Sequence, residues 1–157
     1  MRVIAGPADL AALAGTRLGA SGFRTIEQRQ IDAFAALTGD QQWIHTDAER
    51  AATGPFGVTI AHGMLTLSLG VALLAEVFRV DGANLVLHKG FDQVRFGVPV
   101  RCGSRVRLLA DLTGVTPRAR GFTEATLAVT MEIERRTRPA YTALARMLYQ
   151  EAPACVR

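Results

Sequence analysis

The longest apolar stretch of the chain, from Val58 to Phe78, restricts the fold more than any other feature of the sequence. It is long enough to cross a bilayer, but it contains His62, Ser68 and Glu76, and polar groups are costly inside a membrane. We therefore interpret residues 60–78 as a core helix. Because this helix is apolar nearly all round, other parts of the fold must surround it on most sides.

The second half of the chain has the pattern of strands that could surround such a helix. Apolar and polar residues alternate from Val106 to Leu112 and from Ala125 to Ile133, which is typical of strands with one buried face. The stretch from Tyr141 to Tyr149 is apolar on both faces, as expected of a central strand. Helices followed by strands indicate an α+β fold. One buried helix with several long antiparallel strands predicts a hot-dog fold, in which an antiparallel sheet wraps around a long central helix.

Two further helices are predicted from their capping residues. Thr25 and Gln28 have the spacing of a capping box, at the start of a helix that ends at Gly39. Thr46 and Glu49 have the same spacing and predict a second, short helix. The segment between the two helices is therefore expected to be a loop.

Length and composition limit the class of protein. A chain of 157 residues usually forms one domain, and we predict a single domain over residues 1–157. Cys102 and Cys155 are the two cysteines and are far apart in sequence, so they make neither a disulfide framework nor a metal-ligand cluster, and they fit a reducing cytosol. The N-terminus lacks the layout of a signal peptide. We expect a cytoplasmic protein without a membrane partner.

The stretch from Leu37 to Asp47 holds the residues best suited to chemistry. Asp40 and His45 lie five residues apart in the predicted loop, where both side chains could hold one water molecule. A carboxylate accepts hydrogen bonds and an imidazole titrates near neutral pH, so the pair could move a proton in both directions. The spacing also fits a structural role, in which Asp40 caps the following turn and His45 packs. The residues alone leave both interpretations open.

The same stretch resembles the signature of the MaoC-like (R)-specific enoyl-CoA hydratases and dehydratases, which is Gly-Asp, then x-Asn-Pro, an aliphatic residue and His. Gln42 and Trp43 replace the usual Asn and Pro, as they do in the NodN-like subgroup. The resemblance implies that Asp40 and His45 are catalytic and that Gln42 and Trp43 contribute to substrate binding. The residues that match the signature are Gly39, Asp40, Ile44 and His45.

A second match, His62-Gly63-Met64, resembles the entry to the central helix of that family. By this resemblance, the free amides near Gly63 at the helix N-terminus would hold a thioester carbonyl. Ser68 matches a family serine that lines the site, although its hydroxyl could also bond back to its own helix. We interpret His62 as structural, because the neighbouring loop already supplies an imidazole. A third match, over residues 94–104, is a signature of the fold rather than of chemistry.

The resemblance implies reversible addition of water to a trans-2-enoyl-CoA, which gives an (R)-3-hydroxyacyl-CoA. No metal or redox cofactor is implied, and coenzyme A enters as part of the acyl-CoA substrate. Two rivals stay open: another activity on thioesters (dehydration of acyl chains on a carrier protein, or thioester hydrolysis), and a non-catalytic role as a partner subunit or RNA-binding module. A homodimer is predicted, because a second copy would cover both the edge strands and the open sheet face.

The chain has a net charge of +4, and Lys89 is its only lysine, so arginine supplies almost all of the positive charge. This excess fits either a compositional preference or an anionic partner. The basic stretches lack interleaved aromatic residues, so nucleic acid is not expected as a partner. Arginines in two predicted hairpin loops are either solvated or in contact with the phosphates of coenzyme A: Arg118, Arg120, Arg135, Arg136 and Arg138.

Overall fold

The structure, a computed structural model, describes residues 1–151. Its strands are β1 (Arg2–Ile4), β2 (Thr16–Ala20), β3 (Arg24–Thr25), β4 (Phe78–Val80), β5 (Ala83–Phe96), β6 (Arg105–Arg118), β7 (Phe122–Ile133) and β8 (Tyr141–Glu151). Its helices are α1 (Gln28–Thr38), α2 (Trp43–Thr46), α3 (Ala48–Ala52) and α4 (Gly63–Val77), with 3-10 turns at Pro7–Leu13 and Ala119–Gly121. Of the two cysteines, Cys102 is a half-buried free thiol and Cys155 lies outside the described residues.

The strands form one large antiparallel sheet in the order β2-β6-β7-β8-β5, with β3 also pairing with β6. Helix α4 packs against this sheet, and the buried side chains of both form a single apolar core. Strands β1 and β4 make a separate parallel pair beside it. The predicted α+β hot-dog architecture is therefore confirmed. No helix within residues 1–151 has the length and apolar character needed to cross a membrane.

Alternation correctly predicts β6 and β7, and the apolar stretch from Tyr141 to Tyr149 correctly predicts a strand, but the prediction that both faces of this last strand are apolar and buried needs a correction. β8 lies between β7 and β5, as expected of a central strand. However, its residues alternate between buried and half-buried from Tyr141 to Gln150, so only one face is in the core. The outer face of the sheet has no layer over it among the described residues, and this leaves Leu144 and Leu148 partly exposed.

The central helix is shorter and less enclosed than its sequence predicts. It begins at Gly63 rather than at residue 60, because Ile60 instead forms a bridge to Arg101. The sheet covers one side of the helix, where the residues are buried. On the other side Met64 and Val71 are 56% and 41% exposed. One copy of the chain therefore leaves an apolar face of its central helix open.

Both helix caps are located differently from the two predicted capping boxes. Helix α1 is capped by Glu27, whose side chain accepts from the backbone of Gln30 while the Gln30 side chain accepts from the Glu27 N–H. Helix α3 is capped by Asp47, whose carboxylate accepts from the Arg50 N–H. The Thr46 hydroxyl instead donates to carbonyl oxygens at the start of α2. In each case a carboxylate closer to the helix start takes the capping role predicted for a threonine.

Candidate active site

The connection from α1 to α2 sets the positions of Asp40 and His45. Gly39 ends α1 with a left-handed φ of 80°, which a glycine adopts without strain, and Asp40 follows it directly. His45 then lies in the single turn of α2 rather than in a loop. The Gln28 side chain donates to the His45 carbonyl oxygen at 2.8 Å, and this bond ties α2 to α1.

A second imidazole completes the cluster. Each of Asp40, His45 and His62 brings one nitrogen or carboxylate oxygen within 4.8 Å of the others. The two rings are stacked with centroids 3.7 Å apart, and both histidines are buried. Asp40 is different, because its side chain is 58% exposed and faces solvent. The cluster therefore places one accessible carboxylate against a buried pair of imidazoles.

The hydrogen bonds fix which nitrogen of each ring is available. His45 Nδ1 lies 2.7 Å from the carbonyl oxygen of Ile60, and a carbonyl only accepts, so Nδ1 carries the proton. In the neutral ring, Nε2 of His45 is then a hydrogen-bond acceptor. His62 Nε2 donates to the Asp40 carbonyl oxygen at 3.0 Å and lies 4.0 Å from the carboxylate oxygen Oδ2 of that residue.

A carboxylate and two histidines are also a common metal-ligand set, but these rings are poorly arranged for it. Zn²⁺ is bound at about 2.0–2.1 Å along the in-plane lone pair of an imidazole nitrogen. The rings of His45 and His62 are inclined by only 25°, so their lone pairs run side by side instead of converging on one point. The arrangement is better suited to holding and moving protons.

An apolar cavity of about 340 Å³ lies next to His45 and begins at the N-terminus of α4. Its wall is formed by α4, by the end of β5 with the segment that follows it, and by the residue before β8. The lining residues are His45, Ile60, Ala61, Gly63, Met64, Thr66, Phe96, Gly97, Val98, Pro99, Val100 and Ala140. A cavity of this volume with an apolar lining suits a small apolar ligand group.

Gly63 shows why the start of α4 needs a glycine. A Cβ at this position would lie 2.9 Å from the ring of Phe96, which packs directly over the backbone. The N–H of Gly63 is in the first turn of the helix, where no intrahelical acceptor exists. Gly63 also lines the cavity next to His45, so its backbone borders this space.

Comparison with known proteins places this site in a family. The family model described as "MaoC like domain" matches residues 9–133, which is most of the chain. The chain belongs to the MaoC-like domain family.

Named relatives agree with this membership. The chain is 47% identical over 143 residues to 3-hydroxyacyl-thioester dehydratase Z of Mycobacterium tuberculosis, covering 91% of the chain and 95% of the relative. It is 44% identical over 138 residues to nodulation protein N of Rhizobium leguminosarum bv. viciae, covering 87% and 86%. Among solved structures it resembles the (R)-hydratase of A. caviae involved in PHA biosynthesis, with a TM-score of 0.69 and 26% identity over 89% of this chain and 96% of that one. The family is one of dehydratases and hydratases, and the resemblance to its NodN-like members is confirmed.

Three residues predicted to bind substrate in this MaoC-like domain lie outside the cavity of the single chain. Ser68 is exposed on the open side of α4. Gln42 is exposed at the start of α2, and its carbonyl oxygen accepts from the His45 N–H. Trp43 packs against Gly54 and under the Arg50 guanidinium. Their roles in substrate binding stay predictions, whereas Gly63 does line the cavity.

Sequence reasoning missed several residues of the site. Gln28 was assigned to a helix cap, but its side chain holds α2 in place. Phe96, Pro99 and Val100 were read only as a fold signature, yet they form a wall of the cavity. A useful signal was available: these three apolar residues leave a strand at a Pro-containing turn, and turns at strand ends often border binding sites.

The predicted basic loops lie at opposite ends of β7, and the structure separates them. Arg136 lines a smaller depression that shares Val98 and Pro99 with the wall of the main cavity. Arg118 is at the other end, where its guanidinium is 2.8 Å from the Glu124 carboxylate. Only the loop between β7 and β8 is therefore next to the candidate site.

Proposed function

We propose that this chain catalyses the reversible hydration of trans-2-enoyl-CoA to (R)-3-hydroxyacyl-CoA. The observation that carries the proposal is the Asp40–His45 cluster, whose His45 lines an apolar cavity together with Gly63, the first residue of α4. The relatives support the reaction class, since dehydration of a 3-hydroxyacyl thioester is the same reaction in reverse. The choice of coenzyme A as carrier and of the R product belongs to the proposal.

The two acceptors suit one water molecule. The carboxylate of Asp40 only accepts hydrogen bonds, and neutral His45 offers Nε2 as an acceptor because Nδ1 donates to Ile60. A water bound between them donates one hydrogen to each. Its oxygen lone pairs then point away from both residues, toward the β-carbon of a bound enoyl group.

The reaction then proceeds by addition to the conjugated thioester. As the water oxygen bonds to the β-carbon, one water proton passes to the Asp40–His45 pair, and the C=C electron pair moves onto the thioester oxygen. The Gly63 N–H stabilises the negative charge on that oxygen. Collapse of this enolate takes a proton from the pair at the α-carbon, which restores the starting state of the enzyme. No step requires a metal or a redox cofactor, and coenzyme A arrives with the substrate.

The test is to mix pure protein with crotonyl-CoA, and then with trans-2-enoyl-CoAs of longer acyl chains, and to follow the absorbance of the enoyl thioester. We expect the enoyl absorbance to fall and chiral analysis to give the R product. No fall with any enoyl-CoA, in the presence of normal folding, would refute the proposal. A fall only with enoyl groups on a carrier protein would assign the enzyme to carrier-bound chains, and release of free thiol would indicate a thioesterase.

We also propose that the working unit is a homodimer in the cytoplasm. Strand β5 is an edge strand with three consecutive exposed apolar residues, Leu85, Val86 and Leu87. Met64 and Phe96 line the cavity and are more than half exposed, so a second copy on this face would complete its wall.

Sedimentation at micromolar concentration tests the dimer. Val86→Glu is expected to weaken association and activity together, whereas Val3→Glu, at an exposed apolar residue on β1, is the matched control and leaves both unchanged. A wild-type monomer that still hydrates substrate would contradict the dimer without affecting the proposed reaction.

A further inference from the structure

His62 contacts both members of the proposed catalytic pair, although it belongs to a different segment of the chain. It precedes α4, and its side chain is 3% exposed. One edge of the ring donates from Nε2 to the main-chain oxygen of Asp40 at 3.0 Å. One face stacks on the ring of His45 with centroids 3.7 Å apart. A single buried side chain therefore joins the two residues that must share a water.

The hydrogen bond matters because Asp40 has little other support. Its carboxylate accepts no hydrogen bond from another residue within 1–151, and its N–H makes only a long contact of 3.4 Å with the Thr38 hydroxyl. The residue also follows the left-handed Gly39, where the chain changes direction. The bond from His62 to the Asp40 carbonyl is therefore the shortest polar contact that holds the backbone of this residue.

The stacking matters because His45 is held at only one edge. Its Nδ1–H bond to the Ile60 carbonyl fixes one nitrogen, but the ring can still tilt about that bond. The ring of His62 lies against its face, inclined by 25°, and limits this tilt. Phe34 packs near His62 with centroids 5.1 Å apart, so the supporting ring is itself held. The direction of His45 Nε2 is set by both contacts together.

The same contacts make His62 unsuitable as an acid or base in the reaction. Its Nε2–H is committed to a carbonyl oxygen, and its Nδ1 is buried without a hydrogen-bond partner in the described part of the chain. A second proton on Nδ1 would have no acceptor, and a charged ring would face the ring of His45. His62 therefore holds its neighbours in position and does not transfer a proton itself.

We infer that His62 is a positioning residue, which sets the distance and angle between the Asp40 carboxylate and His45 Nε2. This inference rests on the proposed hydratase function for its activity readout. A catalytic group displaced by about 1 Å can lose on the order of a hundredfold in rate, so the loss of either contact should be visible in kcat.

Two substitutions separate the contacts. His62→Gln keeps an N–H donor for the Asp40 carbonyl and removes the ring, whereas His62→Phe keeps a ring for stacking and removes the donor. We expect each to lower kcat about tenfold to a hundredfold with KM nearly unchanged. The double variant His62→Phe/Asp40→Asn should be hardly slower than Asp40→Asn alone, because His62 acts through Asp40.

His88 provides the matched control. Its two ring nitrogens are also buried without partners among residues 1–151, and it packs against Phe91, away from the cluster. His88→Gln and His88→Phe should leave kcat unchanged. Equal losses at His62 and His88 would mean that the effect is general destabilisation, and would overturn the inference.

The pH profile and NMR distinguish the remaining outcomes. A positioning residue lowers kcat by the same factor at every pH, whereas loss of one limb of the profile would make His62 an acid–base group and refute the inference. If the wild type hydrates nothing, the proposed function fails, but imidazole NMR still tests His62. The ring signals of His45 should shift in both His62 variants and not in the His88 variants; unchanged signals would overturn the inference.

Discussion

Two clusters of charged and polar side chains differ in how completely their hydrogen-bonding groups are used. In the first, on the outer face of the sheet, Glu124 is only 2% exposed and both of its carboxylate oxygens are engaged. Oε2 contacts Lys89 at 3.0 Å and Arg118 at 2.8 Å, and Oε1 contacts Arg146 at 3.3 Å. We call these four residues the Glu124 network.

The second cluster, around Asp40, is left unsaturated. The Asp40 carboxylate is exposed, and His62 Nδ1 has no partner among the described residues. The hydrogen bond of His45 is at Nδ1, to the Ile60 carbonyl oxygen, and this leaves Nε2 as an acceptor. Saturated ion pairs resist change and hold strands together, whereas free lone pairs beside a cavity can bind water and exchange protons. A count of ionisable groups would favour the Glu124 network as a reaction site, whereas unused lone pairs next to a cavity favour the Asp40 cluster, where the reaction is proposed.

Substitutions of Asp40 and His45 should lower activity more than any other change. Asp40→Asn and His45→Ala should each lower kcat at least about a hundredfold, because positioned acid–base groups contribute factors of this order. The free energy of unfolding should change little for Asp40→Asn, since this side chain is exposed. Steady-state kinetics with circular dichroism as the folding control measure this. A rate near that of the wild type in either variant would remove that residue from the mechanism.

The Glu124 network should show the opposite behaviour. Glu124→Gln leaves three cations without their shared carboxylate and should lower the free energy of unfolding by about 1–3 kcal/mol, with kcat unchanged. Glu132→Gln is the matched control, because Glu132 is on the same strand and forms a half-exposed pair with Arg107. This control should lose no more than about 1 kcal/mol. A large fall in kcat for Glu124→Gln would contradict the division between the clusters.

The pH dependence of the free energy of unfolding also tests the stabilising role of Glu124, because acid removes the charge of its carboxylate without changing the side chain. The hydrogen bond from Lys89 is the main cause that holds the pKa of Glu124 below its ordinary value, with Arg118 adding to it. A carboxyl whose pKa is lowered by folding stabilises the protein above its unfolded pKa and loses that contribution as pH falls through the folded pKa. The stability difference between wild type and Glu124→Gln should therefore be full near neutral pH and shrink in acid.

Tyr141 has an unpartnered polar atom that is not beside the proposed catalytic pair. Its hydroxyl is fully buried without a hydrogen-bond partner in residues 1–151, and a Cβ at Gly70 would lie 2.1 Å from it. Tyr141→Phe should leave kcat unchanged and unfolding free energy unchanged or higher, since an unpaired buried hydroxyl is lost.

Gly70→Ala completes this test. It should cost about 1–3 kcal/mol through overpacking against the hydroxyl of Tyr141. The double variant Gly70→Ala/Tyr141→Phe should recover most of the loss, because the next atom of the ring lies at 3.4 Å. Thermal unfolding measures both variants. A fall in kcat for Tyr141→Phe would show that an orphan hydroxyl remote from Asp40 takes part in the reaction.

The residues predicted best from sequence are those governed by local pattern. Alternation located β6 and β7, and the Gly39 stop and the Asp40–His45 spacing are contained in one short segment. Helix starts were less predictable, because Thr25 pairs with Arg105 of the distant strand β6 and Glu27 caps α1 instead. His62 was interpreted as structural, but its contact with Asp40 joins residues 22 positions apart and could not be predicted from local pattern. Only the folded chain shows that one ring bridges the pair.

Substitutions in the two basic loops, which lie at opposite ends of β7, should change the kinetics least. Arg136 borders the depression that continues the cavity wall, whereas Arg120 is in the turn at the far end of β7. If coenzyme A is the carrier, Arg136→Ala should raise KM for crotonyl-CoA a few fold at low ionic strength, with kcat nearly unchanged, and the effect should shrink as salt is added. Arg120→Ala is the matched control and should leave both KM and kcat unchanged.

Crotonyl-pantetheine lacks the nucleotide phosphates, so Arg136→Ala should not change KM for this substrate. An equal loss on both substrates would mean that Arg136 supports the cavity wall rather than a phosphate, and silence on both would make the arginine excess a matter of composition.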